Sequence, residues 1–177
     1  VSRRGLCVNE SIKMKINNVD YEDLGSIQIQ KKNLDLKLWK GLSINDTYGN
    51  KRILEYNNEP LYAELVIVQM LINENKQAVW RDNFRNKYRN KLPEKSKGIE
   101  LPIEISTQIN EIRKVNKSMN GCWDIISWND KYKIHFYELK ESKKDKIRLT
   151  QIEWLNTCLK LGYSKDNFTI IEWKINE

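Results

Sequence analysis

The stretch DIISWNDKYKIHFYELK, residues 124–140, constrains the fold more than any other part of the sequence. Two apolar runs flank the polar segment 129–131, and this pattern is typical of a β-hairpin. Charged side chains stand at the outer ends of both runs: Asp124 begins the first, and Glu138 and Lys140 end the second. The sequence therefore predicts an apolar hairpin that carries two acids and a lysine at one end.

The register of this hairpin decides whether the charged groups meet. Side chains of a strand alternate between its two faces, so Glu138 and Lys140 point to the same face. A three-residue loop at 129–131 would place Asp124 opposite Phe136, on that face and roughly 7–8 Å from Glu138 along the diagonal. A two-residue Asn-Asp turn would send Asp124 to the other face, but such turns favour glycine, which is missing here. We therefore expect the two carboxylates to converge.

The rest of the chain predicts a mixed α/β fold, with a central mixed β-sheet flanked by helices. Residues 1–56 form a β-rich N-terminal segment in which alternating apolar residues predict short strands, with turns at 17–20 and 31–33. Residues 57–177 form the second part. Its predicted elements are a helix with Asn58 as N-cap and Pro60 in its first turn, a strand at 77–84, a basic loop at 85–99, a short helix at 103–115, the hairpin, a helix opened by a Thr150–Glu153 capping box and stopped at Gly162, and a strand at 168–175.

Glu64 lies inside the apolar arc of the first predicted helix, between the directions of Val68 and Leu71. With the helix beginning near Asn58, this acid lies beyond the first turn, where the helix dipole does not explain it. A carboxylate on a buried face needs a partner, either a cation or a metal. Both a salt bridge to a nearby Lys or Arg and a role at a metal site fit the pattern.

The composition limits the chemistry that this chain can carry. His135 is the only histidine, so a histidine-rich zinc site is excluded, and no C-x-x-C pair marks a zinc ribbon. The three widely spaced cysteines fit a reduced, intracellular and therefore cytoplasmic setting. No apolar run reaches the roughly 18 residues that a membrane span needs. Any metal would depend on carboxylate ligands, which favour hard cations such as Mg²⁺ or Mn²⁺.

The basic residues of the chain are clustered, and its formal net charge is +7. One cluster spans 81–97 and a second follows the hairpin at 140–148. Such clusters suit a nucleic-acid partner, since neutralising phosphates releases counterions, and they also fit the solvated loops of a basic protein. The residues that we expect to contact nucleic acid are Arg81, Arg85, Lys87, Arg89, Lys143, Lys144, Lys146 and Arg148.

Two converging carboxylates beside a lysine have a chemical use. They can share one magnesium ion that binds a phosphodiester oxygen and acidifies the attacking water. The lysine would steady the hydroxide or the developing negative charge. The alternative is a charged sheet edge that protects the protein against aggregation.

The ordered set G-C-W-D (121–124), E-L-K (138–140) and a capped helix opening with Gln151 resembles the core of the PD-(D/E)xK nuclease superfamily. The likeness is greatest to its VRR-NUC-type and Holliday-junction-resolvase-like members, and it covers roughly residues 58–175. Trp123 stands where the family has a proline, and there is no V-R-R sequence. The resemblance implies a restriction-endonuclease-like core.

The resemblance also implies a Mg²⁺- or Mn²⁺-dependent endonuclease or exonuclease that hydrolyses DNA. Because members of this fold commonly act as dimers when both strands are cut, a homodimer is among the expected partners. Two alternatives stay open: a non-cleaving nucleic-acid-binding or assembly module on the same fold, and RNA as the substrate. Carried over by motif, the metal ligands would be Asp124, Glu138, the carbonyl of Leu139 and Glu64, and the catalytic group would be Asp124, Glu138, Lys140, Glu64 and Gln151.

Overall fold

The computed structural model describes residues 16–45, 48 and 50–176. Within these residues the strands are β1 (Ile16–Asp23), β2 (Gln28–Leu38), β3 (Leu54–Tyr56), β4 (Glu59–Leu61), β5 (Gln77–Asp82), β6 (Lys87–Arg89), β7 (Ile125–Trp128), β8 (Ile134–Glu141) and β9 (Phe168–Ile175). The helices are α1 (Ala63–Asn73), α2 (Ile103–Asn116) and α3 (Leu149–Lys160), with a 3-10 turn at Lys165–Asn167. None of these described helices is long and apolar enough to cross a membrane.

All of these strands join one mixed sheet, in which most neighbours are antiparallel. The order is β4-β3-β2-β9-β8-β7-β5-β6, and β1 pairs with the first part of β2. Only β8 with β9 and β9 with β2 run parallel among the described pairs. Parallel neighbours need a crossover connection, and α3 provides it between β8 and β9. The predicted mixed α/β fold, a sheet flanked by helices, is confirmed.

The helices cover both faces of the sheet. Helix α1 packs on one face in a core that includes Tyr137 and Leu139, whereas α2 and α3 pack on the other in a core that includes Phe136. Because side chains alternate along β8, Glu138 and Lys140 point toward the layer that contains α3. This alternation places the charged end of the hairpin beneath the start of that helix.

The N-terminal strands are longer than predicted. The segments 17–20 and 31–33, predicted as turns, lie inside β1 and β2, and the connection between the two strands is at 24–27. The prediction was wrong because runs of polar residues are typical of turns, whereas here they lie within paired strands and find partners across the sheet. Lys31, for example, pairs across the strands with Glu22, with Nζ and Oε2 3.0 Å apart. Strand β2 then pairs with β9, so this segment belongs to the same sheet as the rest.

The first helix begins later than predicted. Asn57 and Asn58 form the two-residue turn of the β3–β4 hairpin, with φ angles of 51° and 61°. Asparagine is one of the few residues that adopt this backbone conformation readily, so it serves hairpin turns as well as helix caps. Asn58 is therefore no helix cap, and Pro60 lies in the short strand β4. Helix α1 begins at Ala63.

The β7–β8 hairpin has a wider loop than predicted. Trp128 pairs with Ile134, which leaves a five-residue loop at 129–133 in place of the expected three-residue loop. Continuing this register places Asp124 directly opposite Glu138. Since the shift from the predicted register is two residues, Asp124 keeps its face and moves closer to Glu138.

Local hydrogen bonds explain the wider loop. The Asn129 side-chain oxygen accepts the backbone N–H groups of Lys131 and Lys133, each at 3.0 Å. Tyr132 adopts a φ of 54° within the loop. The three other elements predicted near here, at 77–84, 103–115 and 168–175, are confirmed as β5, α2 and β9, whereas the predicted loop at 85–99 contains β6.

Candidate active site

A polar cavity of about 250 Å³ opens where β8 continues past the beginning of β7. Strand β8, the first turn of α1, the first turn of α3 and the segment before β7 all contribute to its walls. All of the residues that sequence reasoning placed at a catalytic centre line this one cavity. They are Glu64, Asp124, Glu138, Leu139, Lys140 and Gln151.

Each of the two paired carboxylates is held by the backbone of the opposite strand. The N–H of Leu139 donates to Oδ2 of Asp124 at 3.0 Å, and the N–H of Asp124 donates to Oε2 of Glu138 at 3.3 Å. These two bonds extend the β7–β8 pairing beyond Ile125, using side-chain oxygens as acceptors. The predicted convergence of the two carboxylates on one face is therefore confirmed.

Burial and mutual repulsion make this pair reluctant to ionise. Burial raises the pKa of Asp124 from 3.8 to about 6, and the charge of Glu64 adds to this effect. Burial, followed by the charge of Asp124, raises the pKa of Glu138 well above its usual range, while Lys140 opposes the shift. Lys140 and Lys51 oppose the shift of Asp124, yet the pKa values of both carboxylates stay raised, so the cavity favours an additional proton or cation.

Lys140 and Gln151 complete a hydrogen-bonded group around Glu138. The Nζ of Lys140 lies 2.9 Å from Oε1 of Glu138 and donates to Oε1 of Gln151 at 3.2 Å. The Nε2 of Gln151 also donates to Oε1 of Glu138. Lys140 is only 7% exposed and Glu138 only 1%, so these contacts are shielded from solvent. The glutamine therefore orients both the lysine and the carboxylate.

The first turn of α3 differs from the predicted capping box. Arg148 is the N-cap, and its N–H donates to Oε1 of Gln151 at 2.8 Å. Thr150 lies inside the first turn and does not cap the helix with Glu153, so that prediction was wrong. Both residue pairs have the spacing of a capping box, and Gln151 is selected because its side chain also binds Lys140. Gly162 does follow the helix end, with a φ of 95°, as predicted.

Gly121 and Trp123 bring α3 against the strand that follows them. A Cβ atom at Gly121 would lie 1.9 Å from the carbonyl oxygen of Thr150, so only glycine allows this approach. The indole Nε1 of Trp123 donates to the carbonyl of Gln151 at 3.1 Å. The Trp123 ring is fully buried and packs edge-on against Phe168, with ring centroids 5.0 Å apart. Trp123 thus anchors the helix that carries Gln151.

Glu64 reaches the cavity from the other helical layer. It lies in the first turn of α1, where the helix dipole does favour an acid, so the sequence argument against a dipole effect was wrong. Its carboxylate forms an ion pair with Lys51, and its charge also raises the pKa of Asp124. The ion pair with Lys51 confirms the first of the two explanations for this buried acid, and the role at a metal site stays a prediction.

Lys51 is the cavity residue that sequence reasoning missed. It lines the cavity, pairs with Glu64 and has its Nζ 5.4 Å from the centre of the Trp80 ring. It belongs to the segment between β2 and β3, which has no periodicity and no motif. Asn83, at the end of β5, also lines the cavity and was not predicted. Only tertiary contacts reveal either residue.

The basic residues predicted to contact nucleic acid divide into two groups. Arg81 and Arg89 are buried: the guanidinium of Arg81 lies 5.0 Å from the Tyr88 ring centre, and Nε of Arg89 lies 2.7 Å from Oδ2 of Asp82. Neither side chain is therefore at the surface where nucleic acid would bind. The exposed residues of the set are Arg85, Lys87, Lys143, Lys144, Lys146 and Arg148, and the last of these lines the cavity.

We expect Arg89→Ala to destabilise the fold by about 3 kcal/mol, because it removes one partner of a buried ion pair and leaves Asp82 in place. Lys146→Ala, at an exposed position, should change stability by no more than about 0.5 kcal/mol. Urea denaturation of both variants checks this difference. Equal stability of the two variants would contradict a structural role for Arg89.

The oxygen donors at the cavity suit a hard divalent cation. A strand residue points its N–H and C=O to the same side, so the carbonyl of Leu139 faces the strand edge where Asp124 lies. The carbonyl of Leu139 and the carboxylates of Asp124 and Glu138 together provide only oxygen donors, which Mg²⁺ and Mn²⁺ prefer. Across the described ranges, no three His, Cys, Asp or Glu side chains are grouped closely enough to hold a metal by themselves. An ion here would therefore also use the backbone and water, as Mg²⁺ commonly does.

Comparison with known proteins yields no significant match for this chain among protein-family models, curated proteins or solved structures. The geometry therefore defines the site. It consists of a buried carboxylate pair, a lysine and a glutamine that share one polar cavity.

Proposed function

We propose that the protein is a Mg²⁺-dependent nuclease that hydrolyses phosphodiester bonds of DNA. The observation that carries this proposal is the meeting of Asp124, Glu138 and Lys140 at one polar cavity. Burial and repulsion raise both carboxylate pKa values, so this arrangement destabilises the fold. Groups with such shifted pKa values cluster at functional sites.

The arrangement of secondary structure supports a restriction-endonuclease-like core. The sequence predicts helix, strand, a basic and ambiguous segment, hairpin, helix and strand, and these correspond to α1, β5, the segment that contains β6 and α2, β7–β8, α3 and β9. The aspartate precedes β7, the E-x-K motif ends β8, and the glutamine opens α3. The three motifs are far apart in sequence and adjacent at the cavity, as a shared catalytic role requires.

Each residue has a defined task in this proposal. The carboxylates of Asp124 and Glu138 would hold the ion, with Glu64 as an accessory acid. When bound, Mg²⁺ would stabilise charge on the phosphate and lower the pKa of a water molecule. Lys140, oriented by Gln151, would donate a hydrogen bond to the attacking water or to the charge that develops on phosphate. The water oxygen would form a new bond to phosphorus and lose a proton to solvent, while the P–O bond to the sugar breaks and the leaving oxygen takes a proton from solvent.

The surface beside the cavity supports a polyanionic substrate. Exposed Lys143, Lys144 and Lys146 precede Arg148, which lines the cavity. Contacts of such cations with phosphates release counterions and make binding sensitive to salt. Basic residues at this position would hold the backbone of DNA across the carboxylate pair.

The proposal is tested by incubating the protein with plasmid, linear and branched DNA in Mg²⁺. We expect cleavage by the wild type, and a loss of about 10²–10³-fold or more in Glu138→Ala and in Lys140→Ala. Lys174→Ala is the matched control, since this exposed lysine lies on the neighbouring strand β9 and should leave the rate unchanged.

Equal nicking by the wild type and both cavity variants would remove the proposal. Salt-sensitive DNA binding that is insensitive to Mg²⁺ and to loss of Asp124 would identify a non-cleaving binding module instead. Cleavage of an RNA oligonucleotide but not of DNA would change the substrate and keep the chemistry.

A further inference from the structure

Phe84 is a large apolar side chain held in solvent beside the cavity. It lies in the turn between β5 and β6 and is 87% exposed. A single exposed apolar residue is common on protein surfaces and needs no explanation by itself. The position of Phe84 makes it informative, since the preceding residue, Asn83, lines the cavity.

The backbone places Phe84 close to the carboxylate pair. The N–H of Arg81 donates to the carbonyl of Asp124 at 2.7 Å. Phe84 is three residues farther along the chain, and three residues span at most about 11 Å. The backbone of Phe84 therefore lies within about 11 Å of this hydrogen bond, directly after a residue that lines the cavity.

Buried contacts hold this turn in place. Oδ1 of Asp82 accepts the N–H of Arg85 at 3.2 Å, and its Oδ2 accepts the hydroxyl of Tyr48. The Tyr48 ring packs edge-on against Phe84, with centroids 6.0 Å apart, and the Arg85 guanidinium lies 4.5 Å from the same tyrosine ring. These contacts fix the position of the turn, while the ring of Phe84 stays exposed.

Further apolar and basic residues are close in sequence to residues that line the cavity or to Phe84. Leu149 is 70% exposed and stands between Arg148 and Thr150, both of which line the cavity. Exposed Lys87 follows Phe84 in the same β5–β6 region. Aromatic side chains among basic residues are characteristic of surfaces that bind single-stranded nucleic acid, where bases stack on the rings and cations follow the backbone.

The depth of the carboxylates also favours an unpaired strand. Glu138 and Lys140 lie at the bottom of the cavity, almost fully buried. A duplex is stiff over tens of base pairs and presents its phosphates on a regular cylinder. An unpaired strand bends easily, so its phosphate can enter the cavity while its base turns outward.

We propose that Phe84 stacks on an unpaired base next to the scissile phosphate, so that the substrate is DNA with an unpaired strand, either free or at a branch. This inference rests on the proposed nuclease function. It assigns Phe84 a role in substrate selection, and it distinguishes such DNA from an uninterrupted duplex.

The test measures binding in EDTA, so that no cleavage occurs. Three fluorescein-labelled DNAs are compared: a single strand, a blunt duplex of the same sequence, and that duplex with an unpaired flap. Phe84→Ala should lower affinity for the single strand and the flap about tenfold, the factor expected for loss of one base–aromatic stack. Binding to the blunt duplex should stay within about twofold. Phe84→Trp should restore the affinity.

Tyr21→Ala is the matched control, because this tyrosine is also exposed, at 59%, and lies on β1 at the far side of β2 and β9. It should leave all three affinities unchanged. The inference is overturned if Phe84→Ala binds every DNA as the wild type does, or loses affinity equally for all three. Cleavage that persists without any effect of Phe84 defeats this inference alone. Phe84-dependent binding without cleavage upholds it and defeats only the catalytic proposal.

Discussion

We expect Asp124→Asn to raise the melting temperature by about 6–12 °C in the absence of divalent ions, and to reduce Mg²⁺-dependent DNA cleavage by about 10²–10³-fold or more. The amide keeps the shape of the carboxylate. Its oxygen can accept the N–H of Leu139, and its NH₂ group can donate to Glu138, where two acids now face each other. Opposite effects on stability and activity identify a residue kept for function.

The gain in stability should depend on pH in a defined direction. The pKa of Asp124 is raised in the folded protein, to about 6 from 3.8. As pH rises through this interval the unfolded chain releases the proton first, so the wild type loses stability between about pH 4 and pH 6. Above about pH 6 the raised pKa of Asp124 costs the folded wild type about 3 kcal/mol, and below about pH 4 this cost is absent. The variant should therefore differ from the wild type only at the higher pH.

Thermal melts of both proteins at several pH values, with and without Mg²⁺ or Mn²⁺, check this expectation. The ion should stabilise the wild type, because it binds the folded state only, and should have little effect on the variant. A lower melting temperature for Asp124→Asn throughout the pH range would contradict the view that the carboxylates repel each other.

The second large effect is expected for Gly121→Ala. The new Cβ would overlap the carbonyl oxygen of Thr150, at 1.9 Å, and the φ of 80° is itself unfavourable for alanine. Overpacking and the left-handed conformation together should cost about 3–5 kcal/mol, which corresponds to a fall of about 10 °C in melting temperature. Because the start of α3 must move, Gln151 would shift away from Lys140 and cleavage should fall too.

Gly25→Ala separates the two causes. Gly25 has a similar φ of 89°, but nothing lies within 4 Å of a Cβ built there. Its substitution should therefore cost only about 1 kcal/mol. Urea denaturation of both variants measures the difference. Equal destabilisation would show that backbone conformation, and not the close approach of α3, decides the effect at Gly121.

The main features of the site could be predicted because they depend on the strand face that a side chain occupies and on short spacings in the sequence. The hairpin register was two residues away from the predicted one, yet Asp124 kept its face, since strand side chains repeat every second residue. Glu138 and Lys140 share a face in any register. Gln151 lies in the first turn of the helix with either cap, although the cap proved to be Arg148 and not Thr150.

Other features depend on contacts between distant parts of the chain, which local patterns do not report. The pair of Lys51 with Glu64 joins an irregular segment to a helix. Asn58 suits a helix cap and a hairpin turn equally well, and only the pairing of β3 with β4 selects the turn. Arg89 belongs to a segment with the composition of a basic surface loop, but its side chain is buried in an ion pair with Asp82.

The position of β9 has a consequence for how the molecule assembles. The last described strand is an interior strand, inserted between β2 and β8 with parallel partners on both sides. Pairing that joins distant parts of a chain in parallel is slow to form. Until β9 arrives, both neighbours present open edges that invite intermolecular pairing. The strand bearing the E-x-K motif is thus completed late in folding, and interrupted synthesis would produce an aggregation-prone protein.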